Sequence, residues 1–224
     1  MNRSSTTKRW CVERPPRRTR LRSVAYYSRP GDTYLVTGST TGLGLAAAQE
    51  LIDAGHEVLV HARGAERAAA LGSVAAQAAG LVIGDLGEVD ETLDLAQQVN
   101  RYGRVDAVIH NAGFYDKDRR SDNSRGQPVT FAVNVVAPYL LTALLERPSR
   151  LIYLSSNMHT SGSADLVLGH RTQVWLATSE EQEASVRGRY WFRQDEQSPA
   201  APTLDTDFQD RLIARLTELT RVPR

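Results

Sequence analysis

Cysteine is almost absent from this 224-residue chain: Cys11 stands alone, which excludes an internal disulfide and a metal site built on several thiolates. Lysine is nearly as scarce, with only Lys8 and Lys117. No apolar run reaches the roughly 20 residues that a membrane-spanning helix needs, and residues 1–31 hold no apolar core of the secretory kind. The expectation is a cytoplasmic protein without a membrane partner. Hydrophobic content of 41% over this length suits one globular domain with a substantial core.

The formal net charge of +1 conceals a division. Residues 1–31 carry nine Arg/Lys against Glu13 alone, while the remaining residues hold 18 basic and 25 acidic side chains. The basic head contains Pro15, Pro16 and several Ser/Thr without apolar periodicity, so it reads as a disordered extension of a domain over 32–224. Such a head suits a plain tail, an organelle transit peptide or a nucleic-acid arm. The tail is the expectation, and a nucleic-acid arm would bind with steep salt dependence.

From Asp32 onward the pattern becomes regular. Apolar strands are expected at Tyr34–Thr37, Glu57–His61, Leu81–Gly84, Val105–His110 and Leu151–Ser155. Helical patterns at Leu43–Ala54, Ala65–Ala79, Val89–Tyr102 and Thr130–Glu146 separate them. Apolar strands alternating with amphipathic helices predict an α/β fold, a doubly wound, Rossmann-type parallel sheet with helices on both faces.

Between the first strand and first helix lies Thr37-Gly38-Ser39-Thr40-Thr41-Gly42-Leu43-Gly44. Glycines there permit a tight turn and let a pyrophosphate approach the backbone. The N–H groups and positive dipole end of the following helix face the same place. Glycines alone also occur in any sharp strand-to-helix turn, but this position makes nucleotide binding the stronger reading. Thr37, Gly38, Ser39, Thr41, Gly42, Leu43 and Gly44 are therefore candidate cofactor residues. At the end of the second strand, a carboxylate would accept the ribose hydroxyls of NAD, whereas a basic group suits the 2′-phosphate of NADP. The chain has His61-Ala62-Arg63 there, and the forked Arg63 cation favours NADP(H) over NAD(H).

The glycine spacing T-G-x-x-x-G-x-G resembles the short-chain dehydrogenase/reductase family, in particular its retinol-dehydrogenase-like and protochlorophyllide-reductase-like branch. Further landmarks follow in order: Asp85-Leu86 after the third strand, His110-Asn111-Ala112-Gly113 after the fourth, Asn134 in "FAVNVVAPYLLT", and Ser156 in "RLIYLSSNMH". A later stretch, "GHRTQVWLATSEEQEASVRGRYWF", resembles the family's late helix and last strand. The resemblance implies an NADP-dependent oxidoreductase acting on a small carbonyl or alcohol. Asp85, Leu86, Asn111, Ala112 and Gly113 would line the cofactor, and Asn134 and Ser156 would belong to the catalytic group. His110 replaces the first Asn of the family's N-N-A-G.

One family element is missing. Relatives carry Y-x-x-x-K on the helix after the serine, where the lysine lowers the pKa of a phenol that otherwise titrates near pH 10. No lysine follows Lys117, and only thirteen residues separate Ser156 from His170. The sequence therefore reads as lacking that helix, the sixth strand and the loop over the nicotinamide. Tyr153, taken as core packing in the fifth strand, Tyr190 and His159 are weak substitutes. Two classes remain, an oxidoreductase by family and a dinucleotide-binding protein without turnover. The same loss would bare apolar surface on the long helix and the fifth strand, leaving self-association, the family's habit, open. The last strand could slide in beside the fifth, or the edge could stay open and invite aggregation. No metal site is expected.

Overall fold

Runs such as Tyr34-Leu35-Val36 and Val58-Leu59-Val60 are apolar at every position, which suits strands covered from both sides. The computed structural model describes residues 31–115, 121–155 and 169–223 and gathers five such runs into one sheet. They are β1 (Thr33–Val36), β2 (Glu57–Ala62), β3 (Gly80–Ile83), β4 (Ala107–His110) and β5 (Arg150–Tyr153). Their order is β3-β2-β1-β4-β5, parallel throughout, with Leu35 in register with Leu59 on one side and Val108 on the other.

Helices connect successive strands: α1 (Gly42–Asp53), α2 (Ala65–Ala69), α3 (Ser73–Gln77), α4 (Val89–Asn100), α5 (Val129–Phe131) and α6 (Ala137–Leu144). On one face Ala47, Ala48 and Leu51 of α1, with Val74 of α3, pack on Tyr34, Val36, Val58 and Ile109. Val174 and Ala177 from a later helix, α7 (Arg171–Thr178), join the same cluster and touch Ile152. On the other face Leu95 and Val99 of α4 and Ala137 and Leu141 of α6 cover Leu35, Leu59 and Val108. The doubly wound expectation holds.

Several elements differ from the sequence reading. The alanine-rich helix splits into α2 and α3 because Gly72 adopts φ +53° at the break. Between α5 and α6 the turns widen into a π-helical segment at Ala132–Val136, where Ala137 N–H reaches back to Ala132 O. Pro138 supplies the physical reason, since it has no N–H to offer the carbonyl of Asn134. The last strand does not join β5: Tyr190–Phe192 (β6) pairs antiparallel with Asp195–Gln197 (β7) in a separate hairpin. Among the described residues β5 is therefore an edge, with Leu151 and Tyr153 exposed. The long helix is not bared in the same way. A C-terminal helix absent from the sequence reading, α8 (Thr206–Thr220), sets Leu212, Ile213 and Leu216 against Val136, Tyr139 and Leu140. The Tyr139 hydroxyl fixes that contact by donating to Val222 O at 2.7 Å and pairing with Thr217 Oγ1 at 2.7 Å. No helix among the described residues is long and apolar enough to cross a membrane.

Candidate functional site

In the order 3-2-1-4-5 the chain reverses direction across the sheet between β1 and β4, and ligands of open α/β sheets settle beyond the strand ends at that point. Here the turn after β1 meets the segment after β4. The Asn111 side chain donates to Thr37 O at 3.0 Å and Gly38 O at 3.2 Å, and Ala112 N–H donates to Thr37 Oγ1 at 3.0 Å. A Cβ on Gly44 would lie inside contact distance of Asn111 Nδ2 and Gly38 O, and one on Gly38 would lie 2.9 Å from Ala112 Cα. These two positions are closed by packing.

Gly42 is the opposite. It is exposed at φ +60°, and a Cβ there would meet nothing within 4 Å. Thr41, at the N-cap of α1, makes no side-chain capping bond, and the first turn of α1 carries no acidic residue. The leading amides of α1 thus lie beside the open space at Gly42, and the helix's own first turn sets no carboxylate against them, which is the arrangement an anion requires. The residues present fit a bound dinucleotide.

The remaining candidates divide between backbone and side-chain roles. The Ser39 hydroxyl is buried and accepts the His61 N–H at 2.7 Å, and Leu86 is packed into the core beneath α4 and α6. Either can face a ligand only through its backbone. Leu43 offers its carbonyl to the Gln173 side chain at 3.4 Å. Arg63, 61% exposed, sits with Nε 3.9 Å from Asp85 Oδ2, a loose surface pair of small energy. Asp85 Oδ1 meanwhile accepts the Gly87 N–H at 2.8 Å. Gly113 adjoins Asn134. Asn134 is locked to the segment after Gly113, its Nδ2 donating to Phe114 O at 2.8 Å and its Oδ1 accepting Phe114 N–H at 2.9 Å. Ser156, His159, Lys117 and residues 1–30 lie outside the described residues.

Tyr153 corrects an expectation. It is not core packing but 53% exposed, with its ring stacked on His110 at 4.7 Å and its hydroxyl 2.6 Å from Thr142 Oγ1. Thr142 is eight residues beyond Asn134, on α6 and not on the π-helical segment that carries Asn134. A groove of about 400 Å³ lined by Ala46, Gln49, Glu50, Asp53, Ala54 and His170 runs along the side of α1, away from the glycine turn.

His110 and His61 were not read as buried bases, because a histidine at the end of an apolar strand gives no sign of which way its ring points. Burial pushes the His110 imidazole down to about 4 and lowers that of His61. Both are neutral in the native state, while an unfolded chain takes up their protons below about pH 6.5. Stability is therefore expected to fall as pH drops from about 6.5 towards 4, with His110 accounting for about 3 kcal/mol of the loss. Urea midpoints for the parent and His110→Asn across that range test this. The variant's acid limb should be shallower, and an unchanged limb would contradict the burial of a neutral ring.

The comparisons with known proteins fall on the same part of the chain. The family model described as short chain dehydrogenase matches residues 32–157. Short-chain dehydrogenase chyC of Penicillium rubens is 43% identical over 149 residues, covering 66% of this chain and 55% of that protein. The chain spans about half the length of the relatives it matches. An uncharacterised protein of Mycobacterium paratuberculosis shares the fold with a TM-score of 0.73 at 18% identity, covering 89% of this chain and 97% of that one. The Pseudomonas aeruginosa RhlG/NADP active-site complex is similar at 26% identity and TM-score 0.50, over 66% of this chain and 64% of that one.

Proposed function

Because the chain belongs to the short-chain dehydrogenase family, we propose that it binds a nicotinamide dinucleotide, NADP(H) in preference to NAD(H), and does not turn it over. The observation that carries the binding half is Gly42, whose backbone faces open space at the switch point while its neighbours are packed shut. The phosphates would lie against Gly42 and the leading amides of α1, with the nicotinamide side towards Asn111–Gly113 and Asn134. Exposed Arg63, held only at 3.9 Å by Asp85, is free to exchange that partner for a 2′-phosphate. The NADP bound by RhlG in its complex supports nicotinamide dinucleotide binding in general.

A bound nicotinamide supplies a hydride, but carbonyl reduction also needs a proton delivered to the substrate oxygen. No lysine follows Lys117 to lower a phenol's pKa, the family match ends at residue 157, and the Tyr153 hydroxyl is engaged with Thr142. Asn134 spends both ends of its amide on Phe114. These observations support a surviving cofactor half without a proton donor beside it among the described residues. The test is nicotinamide absorbance of NADPH with the protein and a panel of aldehydes and ketones. The expected result is no consumption above the protein-free rate. Saturable consumption would overturn the non-catalytic half and favour the carbonyl-reductase reading that the family suggests.

A further inference from the structure

We propose that His61 is the positioning residue of the Gly38–Gly44 turn: its Nδ1 lone pair accepts the Gly38 N–H and holds the turn in the shape that receives phosphate. The inference rests on the dinucleotide reading above.

β1 ends at Val36, and the amide of Gly38 has left the strand ladder. His61 supplies the acceptor from β2, with Nδ1 2.8 Å from Gly38 N and Nε2 2.9 Å from Gly84 O just past β3. A carbonyl only accepts and an amide N–H only donates, so the proton must sit on Nε2 and the lone pair on Nδ1. One ring, 3% exposed, thereby ties the turn, β2 and the end of β3 together. Ser39 doubles the tie, its N–H donating to His61 O at 3.2 Å and its hydroxyl accepting His61 N–H. Without the imidazole the Gly38 N–H would face a half-buried site with no partner, which favours a different turn.

Protonation is incompatible with this arrangement, because an imidazolium presents two donors and the Gly38 amide is a third. Burial opposes the charged ring most strongly, while the Gly84 carbonyl and the Asp85 carboxylate favour it. Arg63 lies beyond Asp85, whose own amide donates to Glu91. Residues 37–44 carry no ionisable side chain, and His110 stands two strands away. Acid should therefore loosen the turn and weaken nucleotide binding.

The test compares the full chain with His61→Asn, whose Oδ1 falls near the Nδ1 position and cannot titrate there, and with His61→Leu. NADP+ affinity is measured by calorimetry from pH 8 to pH 5, alongside amide-exchange protection at Gly38 and the ring-nitrogen NMR shifts of the parent. At pH 8 the parent and His61→Asn should bind within about threefold of each other, and His61→Leu about tenfold more weakly, the scale of one lost hydrogen bond. Acid strong enough to charge the buried ring should cost the parent affinity that His61→Asn keeps. The nucleotide's own phosphate titration is common to both and cancels. Gly38 should be protected in the parent and His61→Asn and exposed to exchange in His61→Leu, and the parent ring should be protonated on Nε2. A proton on Nδ1, or Gly38 exchange equal in all three, would overturn the proposal, and the NMR shift reads the parent alone should a variant fail to fold. Absence of NADP+ binding by all three, with Gly38 exposed only in His61→Leu, would uphold the clasp and overturn the dinucleotide reading.

Discussion

Gly42→Val is expected to remove NADPH binding while leaving a protein that still melts cooperatively. The glycine sits at φ +60° with nothing near the position of a Cβ. Fold stability then suffers only the left-handed backbone penalty, about 1–2 kcal/mol and roughly 2–8 °C in melting temperature for a domain of this size. The ligand suffers more. Two methyl groups would stand in the space through which phosphate reaches the first amides of α1, and Kd should rise at least about 100-fold, roughly 2.7 kcal/mol. Calorimetric titration beside a thermal melt measures both. Affinity equal to the parent's would show that phosphate does not lie against Gly42.

Gly44→Ala, two residues on, should do the reverse and strike the fold. In an ordinary helix that exchange stabilises by roughly 0.5–1 kcal/mol. Here the new methyl would collide with Asn111 Nδ2 and with the backbone carbonyl of Gly38. The Asn111 amide would have to leave Thr37 O and Gly38 O, and α1 would have to shift off β4. The expected loss is about 2–3 kcal/mol, read as a melting temperature lower by roughly 4–12 °C. A variant melting with the parent would contradict the close approach of α1 to the end of β4.

The pair shows how far the sequence could be read. Three glycines between an apolar run and a helix marked the turn, and the alternation of elements marked the parallel sheet. Which glycine was closed by packing and which was open depended on Asn111 and Ala112, some seventy residues away. The same holds for His61. In the sequence it was the residue before Ala62-Arg63, notable only for lacking a carboxylate, while its partners Gly38 and Gly84 lie 23 residues away on either side. Arg63 was legible as a cation at the right strand end, and its approach to Asp85 was not. Of the two outcomes open for the sheet edge, a sixth strand or an open edge, the hairpin of β6 and β7 gives the second, and the sequence could not choose because "YWF" has the same composition in either pairing. Helix α8 carries apolar residues at Leu212, Ile213 and Leu216, a helical spacing present in the sequence itself.

The most direct measurement is the melting temperature of the full chain with and without saturating NADPH or NADH. A ligand that binds only the native state at about 100 times its Kd adds about 2.7 kcal/mol, which corresponds to a rise of roughly 5–10 °C. The account predicts that rise with NADPH and a smaller one with NADH. A melting temperature unmoved by either would contradict it, and the glycine turn would then be a structural feature without a ligand.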